Sequence, residues 1–159
     1  MITIRPYQPE DAQILWQLFF NTVRQINVRD YTQAQVEAWA EDKSDLTDWI
    51  EKMKGNQPFV ATLNDKIVGY ADLQGDGYIN HFFCHHQYQG CGVGKALMLH
   101  IHEQAKQRNL ARLHADVSMT AKPFFEHAGF IVKEKQSVSL RGQQFTNYRM
   151  EKCLAPLCS

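Results

Sequence analysis

No stretch of this chain approaches the roughly 20 consecutive apolar residues that a membrane-crossing helix requires, so no membrane association is expected. An excess of one charge is missing too: 17 basic side chains face 17 acidic ones, for a formal net charge of zero. A nucleic-acid binder commonly carries a basic excess or stripe, so no nucleic-acid partner is expected either. The four cysteines, Cys84, Cys91, Cys153 and Cys158, show no C-x-x-C spacing. The opening Met1-Ile2-Thr3-Ile4-Arg5 lacks the basic start and apolar stretch of an export signal. Together these point to a cytoplasmic protein with reduced thiols. His85 and His86, beside Cys84, are the nearest approach to a metal motif. Adjacent rings on an extended segment are expected to point apart, and no second cluster has ligand spacing, so no metal is expected.

What is present is ordinary globular material. Hydrophobic residues make up 44% and charged residues 21%, which excludes a disordered chain. A length of 159 residues suits one domain, taken as 1–159, with a core of respectable size. Ile2 and Ile4 suggest a first strand ended by Pro6 and Pro9. From 10 to 26 the apolar residues Ile14, Leu15, Leu18, Phe19, Val23 and Ile26 fall at helical spacing, with Glu10 and Asp11 in the first turn, where the helix dipole favours acids. Thr32 can cap a second helix through Val36 and Trp39, and Ser44 a third over 45–54, stopped by Gly55.

The texture then changes to strands at 59–63 and 66–73, joined by a tight Asn64-Asp65 turn, and a third at 78–84 after Gly75-Asp76-Gly77. A helix over 91–108, a strand over 112–117, a short helix over 121–128 closed by Gly129, and strands at 130–138 and 145–152 complete the order β-ααα-βββ-α-β-α-ββ. The class is α/β in the α+β sense, a mixed and mostly antiparallel central sheet flanked by helices.

The segment richest in chemistry runs from the end of the third consecutive strand into the long helix: Gln89-Gly90-Cys91-Gly92-Val93-Gly94-Lys95. Three glycines at every second position let the backbone approach a ligand closely, and the free N–H groups of a helix start make an anion site. A Walker A loop fails here: Gln89 stands at its first glycine, and Ala96 replaces the hydroxyl that would hold magnesium. A dinucleotide fingerprint fails as well, because Lys95 stands at its last glycine and the preceding strand follows two hairpins.

The pattern Q/R-x-x-G-x-G/A does fit, and with it the chain resembles the GNAT superfamily of N-acetyltransferases. The likeness continues through Ser118-Met119-Thr120-Ala121-Lys122-Pro123-Phe124-Phe125-Glu126-His127-Ala128-Gly129-Phe130 and Tyr148-Arg149-Met150-Glu151-Lys152. It is weakest from about 31 to 55, where that family varies with its acceptor. The resemblance implies a mixed sheet and transfer of an acetyl group from acetyl-CoA, as co-substrate, to a small amine or peptide amine. It further implies that residues 89–95 cradle the pyrophosphate, that the Phe83 and Cys84 backbone faces the thioester, and that Ser118 and Phe125 border the cofactor. Relatives are often dimers, so a homodimer is an expectation of the same kind.

Direct attack by an amine makes three demands: loss of a proton from an alkylammonium of pKa ~10, a donor for the oxyanion, and an exit for the thiolate. His81 has a suitable intrinsic pKa for the first, although a satisfied, partly buried histidine is the competing reading. A backbone N–H at Phe83 or Cys84 answers the second, with Cys84 itself a packing residue rather than a nucleophile. For the third, many relatives carry a tyrosine where this chain has Phe125, so Tyr148 or Tyr31 is the substitute unless the thiolate leaves unaided. The aromatic residues Trp16, Phe19, Phe20, Trp39 and Trp49 are expected in the core and the acceptor-pocket wall. Two alternatives remain open: a catalytically silent acyl-CoA-binding sensor, and an acyltransferase using a longer acyl-CoA.

Overall fold

The apolar runs at 59–63 and 66–73 become the centre of the molecule because both their faces are covered. The computed structural model describes residues 1–154, and Cys158 lies outside them. Its elements are β1 (Ile2–Pro6), α1 (Ala12–Gln25), α2 (Gln33–Trp39), α3 (Thr47–Asn56), β2 (Phe59–Leu63), β3 (Lys66–Ala71), β4 (Tyr78–Ile79), β5 (Phe82–Cys84), α4 (Val93–Gln107), β6 (Arg112–Ser118), α5 (Lys122–His127), β7 (Ile131–Leu140) and β8 (Gln143–Cys153). Along β3, Ile67 and Tyr70 face a core built with Leu15, Trp16 and Phe19 of α1 and Trp49 and Met53 of α3. Val68 and Ala71 face a second core built with Leu97 and Ile101 of α4. A strand buried on both faces reads as a continuous apolar run, which is what these two runs are.

The helices start and stop for local reasons. Thr32 caps α2 in a reciprocal box: its Oγ1 accepts the Gln35 N–H at 3.1 Å, and Gln35 Oε1 accepts the Thr32 N–H at 2.8 Å. The third helix departs from expectation. It begins at Thr47 after Leu46 and ends on Gln57 in the left-handed conformation, so neither Ser44 nor Gly55 bounds it. Asp45 instead accepts both the backbone N–H and the hydroxyl of Thr47, just ahead of the helix. Asn64 and Asp65 both take positive φ, as the tight β2–β3 turn requires. The last two strands run longer than expected, meeting at an Arg141-Gly142 turn. Cys153 is disulfide-bonded, which corrects the expectation that the cysteines are all reduced.

The strands form two four-stranded sheets, ordered β1-β2-β3-β5 and β4-β6-β8-β7. All pairings are antiparallel except β4 with β6. The segment 78–84, expected as one strand, therefore serves both sheets in turn: Tyr78 and Ile79 pair with His114 and Ala115, and Phe82 to Cys84 pair back to β3. The break lies at Asn80-His81, and a side chain makes it. The buried Asp72 carboxylate accepts the Asn80 N–H at 2.7 Å and the His81 N–H at 2.9 Å, while the Asp72 N–H donates to the His81 carbonyl at 3.1 Å. A carboxylate thus takes the place of a neighbouring strand over two residues. Beyond this point β5 and β6 are no longer paired, and the two sheets part. No helix among the described residues is long and apolar enough to cross a membrane.

Candidate active site

A cavity of about 750 Å³ opens where the sheets part, a volume suited to a small-molecule ligand. One wall is the strand segment from Tyr78 to Cys84 and the other runs from Ala115 to Ser118 on β6. The glycine loop closes one end of the cavity, and the aromatic residues of α1, α2 and α3 form the other.

At the loop end, Gly90 and Gly92 have φ of 73° and 86°, which side chains rarely tolerate, and a Cβ built on either would meet nothing within 4 Å. The loop leaves empty space in front of its backbone. Gly92 is the N-cap of α4 and offers no side chain to the helix. The first helical bond there runs from the Ala96 N–H to the Gly92 carbonyl at 3.0 Å, so the N–H groups of Val93, Gly94 and Lys95 precede the ladder. Gln89 ties the loop down, its Nε2 donating to the Cys84 carbonyl at 3.0 Å and the His85 carbonyl at 3.3 Å. Gly94 is needed for packing, since a Cβ there would stand 3.1 Å from the Phe124 ring. Gln89, Gly90, Gly92, Val93, Gly94 and Lys95 all line the cavity, whereas Cys91 is exposed and is not among the lining residues. This open nest of donors at a helix start fits a phosphate group.

In the middle, strand register decides which backbone groups are free. The His85 N–H donates to Val68 O and the Asp72 N–H to His81 O, at 2.8 and 3.1 Å. Tyr70 and Phe83, paired between them, must then be a hydrogen-bonded pair, which occupies the Phe83 N–H within the sheet. The Phe82 and Cys84 N–H groups point the other way, toward the cleft. Of the two positions expected to supply the oxyanion donor, the register favours Cys84 over Phe83. Burial pushes the Cys84 thiol up to about 12, so it stays protonated and is a poor nucleophile.

His81 sits among aromatic rings, with the centroids of Phe19, Trp49, Tyr70 and Phe83 5.7–5.9 Å away. Its Nδ1 lies 3.0 Å from the Tyr70 hydroxyl. Tyr70 is fully buried, and no other acceptor for its O–H is found among the described residues. The hydroxyl therefore donates to Nδ1, which leaves the hydrogen of the neutral ring on Nε2. Burial, with a smaller push from Lys52, lowers the ring's pKa to about 3. His81 lines the cavity. The group expected to accept a proton thus has its cation disfavoured and its Nδ1 engaged.

The expected acid candidates fare differently. Phe125 lines the cavity but is buried against Phe82, Phe124 and Phe130. Ser118 also lines it, its Oγ accepting the Ala121 N–H at 3.1 Å. Tyr148 is not among the lining residues; it lies beneath Lys122, whose Nζ is 5.1 Å from the ring centroid. Strand alternation explains this, because Phe145 and Asn147 of β8 face the cavity and Tyr148 faces away. Tyr31 does line it, but its hydroxyl donates to the Thr146 carbonyl at 2.6 Å and accepts the Met119 N–H at 2.9 Å. Burial raises its pKa further. The rings of His85 and His86 stack at 4.7 Å rather than pointing apart.

Three contributors were not identified from sequence: Asp72, Tyr70 and Thr120, whose buried hydroxyl lines the cavity without a protein partner among the described residues. Only Asp72 carried a signal, as a lone acid closing an otherwise apolar strand run.

The family model described as "Acetyltransferase (GNAT) domain" matches residues 27–152. The uncharacterized N-acetyltransferase YafP of Escherichia coli (strain K12) is 36% identical over 149 residues, covering 94% of each chain. The crystal structure of a GCN5-related N-acetyltransferase (aminotransferase, class-II) from Rhodopseudomonas palustris superposes with a TM-score of 0.91 at 33% identity, over 96% of this chain and 95% of that one. The PaiA N-acetyltransferase of Thermoplasma acidophilum, solved in complex with coenzyme A, shares the fold at a TM-score of 0.74 and 17% identity, over 97% and 99% of the two chains.

Proposed function

Because this chain belongs to the GNAT acetyltransferase family it is an acyltransferase, and we propose that it moves an acetyl group from acetyl-CoA to a primary amine by direct attack in a ternary complex. The observation that carries the proposal is the unfilled cradle at Gly90 and Gly92, set at the start of α4 and facing the cavity. The N–H groups of Val93, Gly94 and Lys95 and the helix dipole suit a pyrophosphate there. The thioester then lies along β5, with the Cys84 N–H as donor to the oxyanion. Phe82 and Phe83 bring bulk to this point, each packed against further rings, which supports a short acyl group over a long one.

Cys84, with its thiol held protonated, supports transfer without an acyl-enzyme. With Phe125 buried, Tyr148 outside the lining and the Tyr31 proton engaged, the thiolate leaves as the anion or takes its proton from water. The N-terminal end of α4 favours that negative charge. The cavity draws on both sheets, which supports reading 1–159 as one catalytic domain.

Calorimetric titration with acetyl-CoA and with coenzyme A tests the cradle, comparing wild type, Gly92→Glu and Gly142→Glu. Gly142 lies in the β7–β8 turn at φ 82° with nothing within 4 Å of a built Cβ, so it imposes a similar backbone strain outside the glycine loop, next to the lining Arg141. Binding in the micromolar range that Gly92→Glu abolishes and Gly142→Glu retains is the expected result. No binding by folded wild type overturns the proposal.

A further inference from the structure

We propose that the acceptor is a weakly basic aromatic amine, which enters unprotonated, lies among the aromatic rings at the far end of the cavity and meets His81 as a hydrogen-bond donor. This rests on the acetyltransferase reading above and specifies its substrate class.

The wall at this end is aromatic. Trp16, Phe19, Trp39, Trp49, Phe83 and Phe145 all line this end of the cavity. Their centroid separations, such as 5.0 Å for Phe19–Phe83 and 6.1 Å for Trp39–Phe145, and their mostly tilted or edge-on packing offer faces and edges to a flat ring.

For an ammonium, the wall supplies no sheltered free carboxylate among the described residues. Glu41 is paired with Arg141 at 2.8 Å. Asp116 accepts from Tyr78 at 3.0 Å and from Gln136 at 3.0 Å. Asp48 is solvent-exposed at the rim, on the same helix as the lining Lys52. Asp72 is not a lining residue and is engaged by Asn80, His81 and Gln74. Among the described residues, no lining carboxylate is both sheltered and unpaired.

His81 is desolvated, with its Nδ1 engaged and its cation disfavoured. The titratable and charged groups that bear on it are Tyr70 of β3, which fixes its tautomer, Lys52 of α3, which disfavours its cation, and Asp72, which accepts its backbone N–H. A base for an alkylammonium would have to gain a charge here, in a desolvated ring whose Nδ1 is already engaged by Tyr70. An alkylamine of pKa ~10 presents only about one molecule in a thousand as the free base at pH 7. An arylamine is already neutral, because its lone pair is delocalised into the ring.

The chemistry balances without an enzymic base. The arylamine lone pair forms the N–C bond to the acetyl carbonyl carbon, and the C–S bond breaks with its electron pair on sulfur. The nitrogen loses one proton, which ends on the thiolate through water, giving the free thiol and an N-aryl acetamide.

The test uses two isomers, 4-methylaniline and benzylamine, which share the same atoms and differ chiefly in amine basicity. Acetylated product is measured from acetyl-CoA and the intact protein across pH 6–9, alongside the calorimetric titration. The expected result is a kcat/KM for 4-methylaniline at least tenfold above that for benzylamine at pH 7. The arylamine profile should be flat, while the benzylamine value rises about tenfold per pH unit below its own pKa. Tyr70→Phe, which frees His81 Nδ1 and allows the other tautomer, should narrow the gap between the two amines. If benzylamine is the better substrate at pH 7, the substrate proposal falls and the acetyltransferase reading stands. If acetyl-CoA binds but neither isomer is acetylated, the substrate proposal falls alone. If acetyl-CoA does not bind, both fall.

Discussion

At the scale of single residues, burial sets the charge states around the cleft. His81 has a pKa near 3 when folded, against an ordinary 6.5. Between those values the unfolded chain binds a proton that the folded chain does not, so this residue makes stability fall as pH drops from about 6.5 to about 3. The slope is on the order of 1 kcal/mol per pH unit at most. Urea unfolding of His81→Gln should lose that part of the acid sensitivity, and an unchanged pH slope would contradict the desolvated, neutral state assigned to the ring. The site's residues were unequally legible. Gln89 to Lys95 were readable because glycine spacing before a helix is a local signal. Tyr148 was misleading because its face depends on the register of β8, which no short motif encodes. Tyr70 was invisible because a tyrosine in an apolar strand looks like core, and it is core; its hydroxyl matters only through His81.

At the scale of elements, the decisive feature is the crossing of one chain segment between two sheets. Order and type of elements were readable from periodicity, since two-sided burial gives β2 and β3 their apolar runs and Thr32 and Gln35 mark the start of α2. The break at Asn80-His81 was not, because the side chain of the facing residue Asp72 makes it. Nor was the full length of β7 and β8, where exposed polar residues on an edge strand resemble a loop. Asp72→Ala tests the crossing. It leaves the Asn80 and His81 N–H groups without their acceptor, at roughly 1–3 kcal/mol for each unpaired donor. A loss of at least about 2 kcal/mol in urea unfolding is expected, together with weaker acetyl-CoA binding as β5 shifts. A variant as stable as wild type with unchanged affinity would show that the carboxylate does not hold the sheets apart.

At the scale of the whole molecule, two cores grip a central pair of strands and leave a wedge between the sheets. The wedge has a donor-rich end and an aromatic end, and the Cys84 N–H lies between them. A net charge of zero supplies no broad field to attract a charged polymer, so recognition rests on the cavity itself. Direct transfer shows itself most plainly in its stoichiometry. Purified protein would be incubated with acetyl-CoA and a panel of aryl and alkyl amines, and free thiol and acetylated amine quantified together by mass spectrometry. The prediction is one thiol released per amide formed, none above background without an amine, and no acetylated protein. Thiol release without amide, an acetylated Cys84, or bound acetyl-CoA that no amine consumes would contradict direct transfer in this cleft.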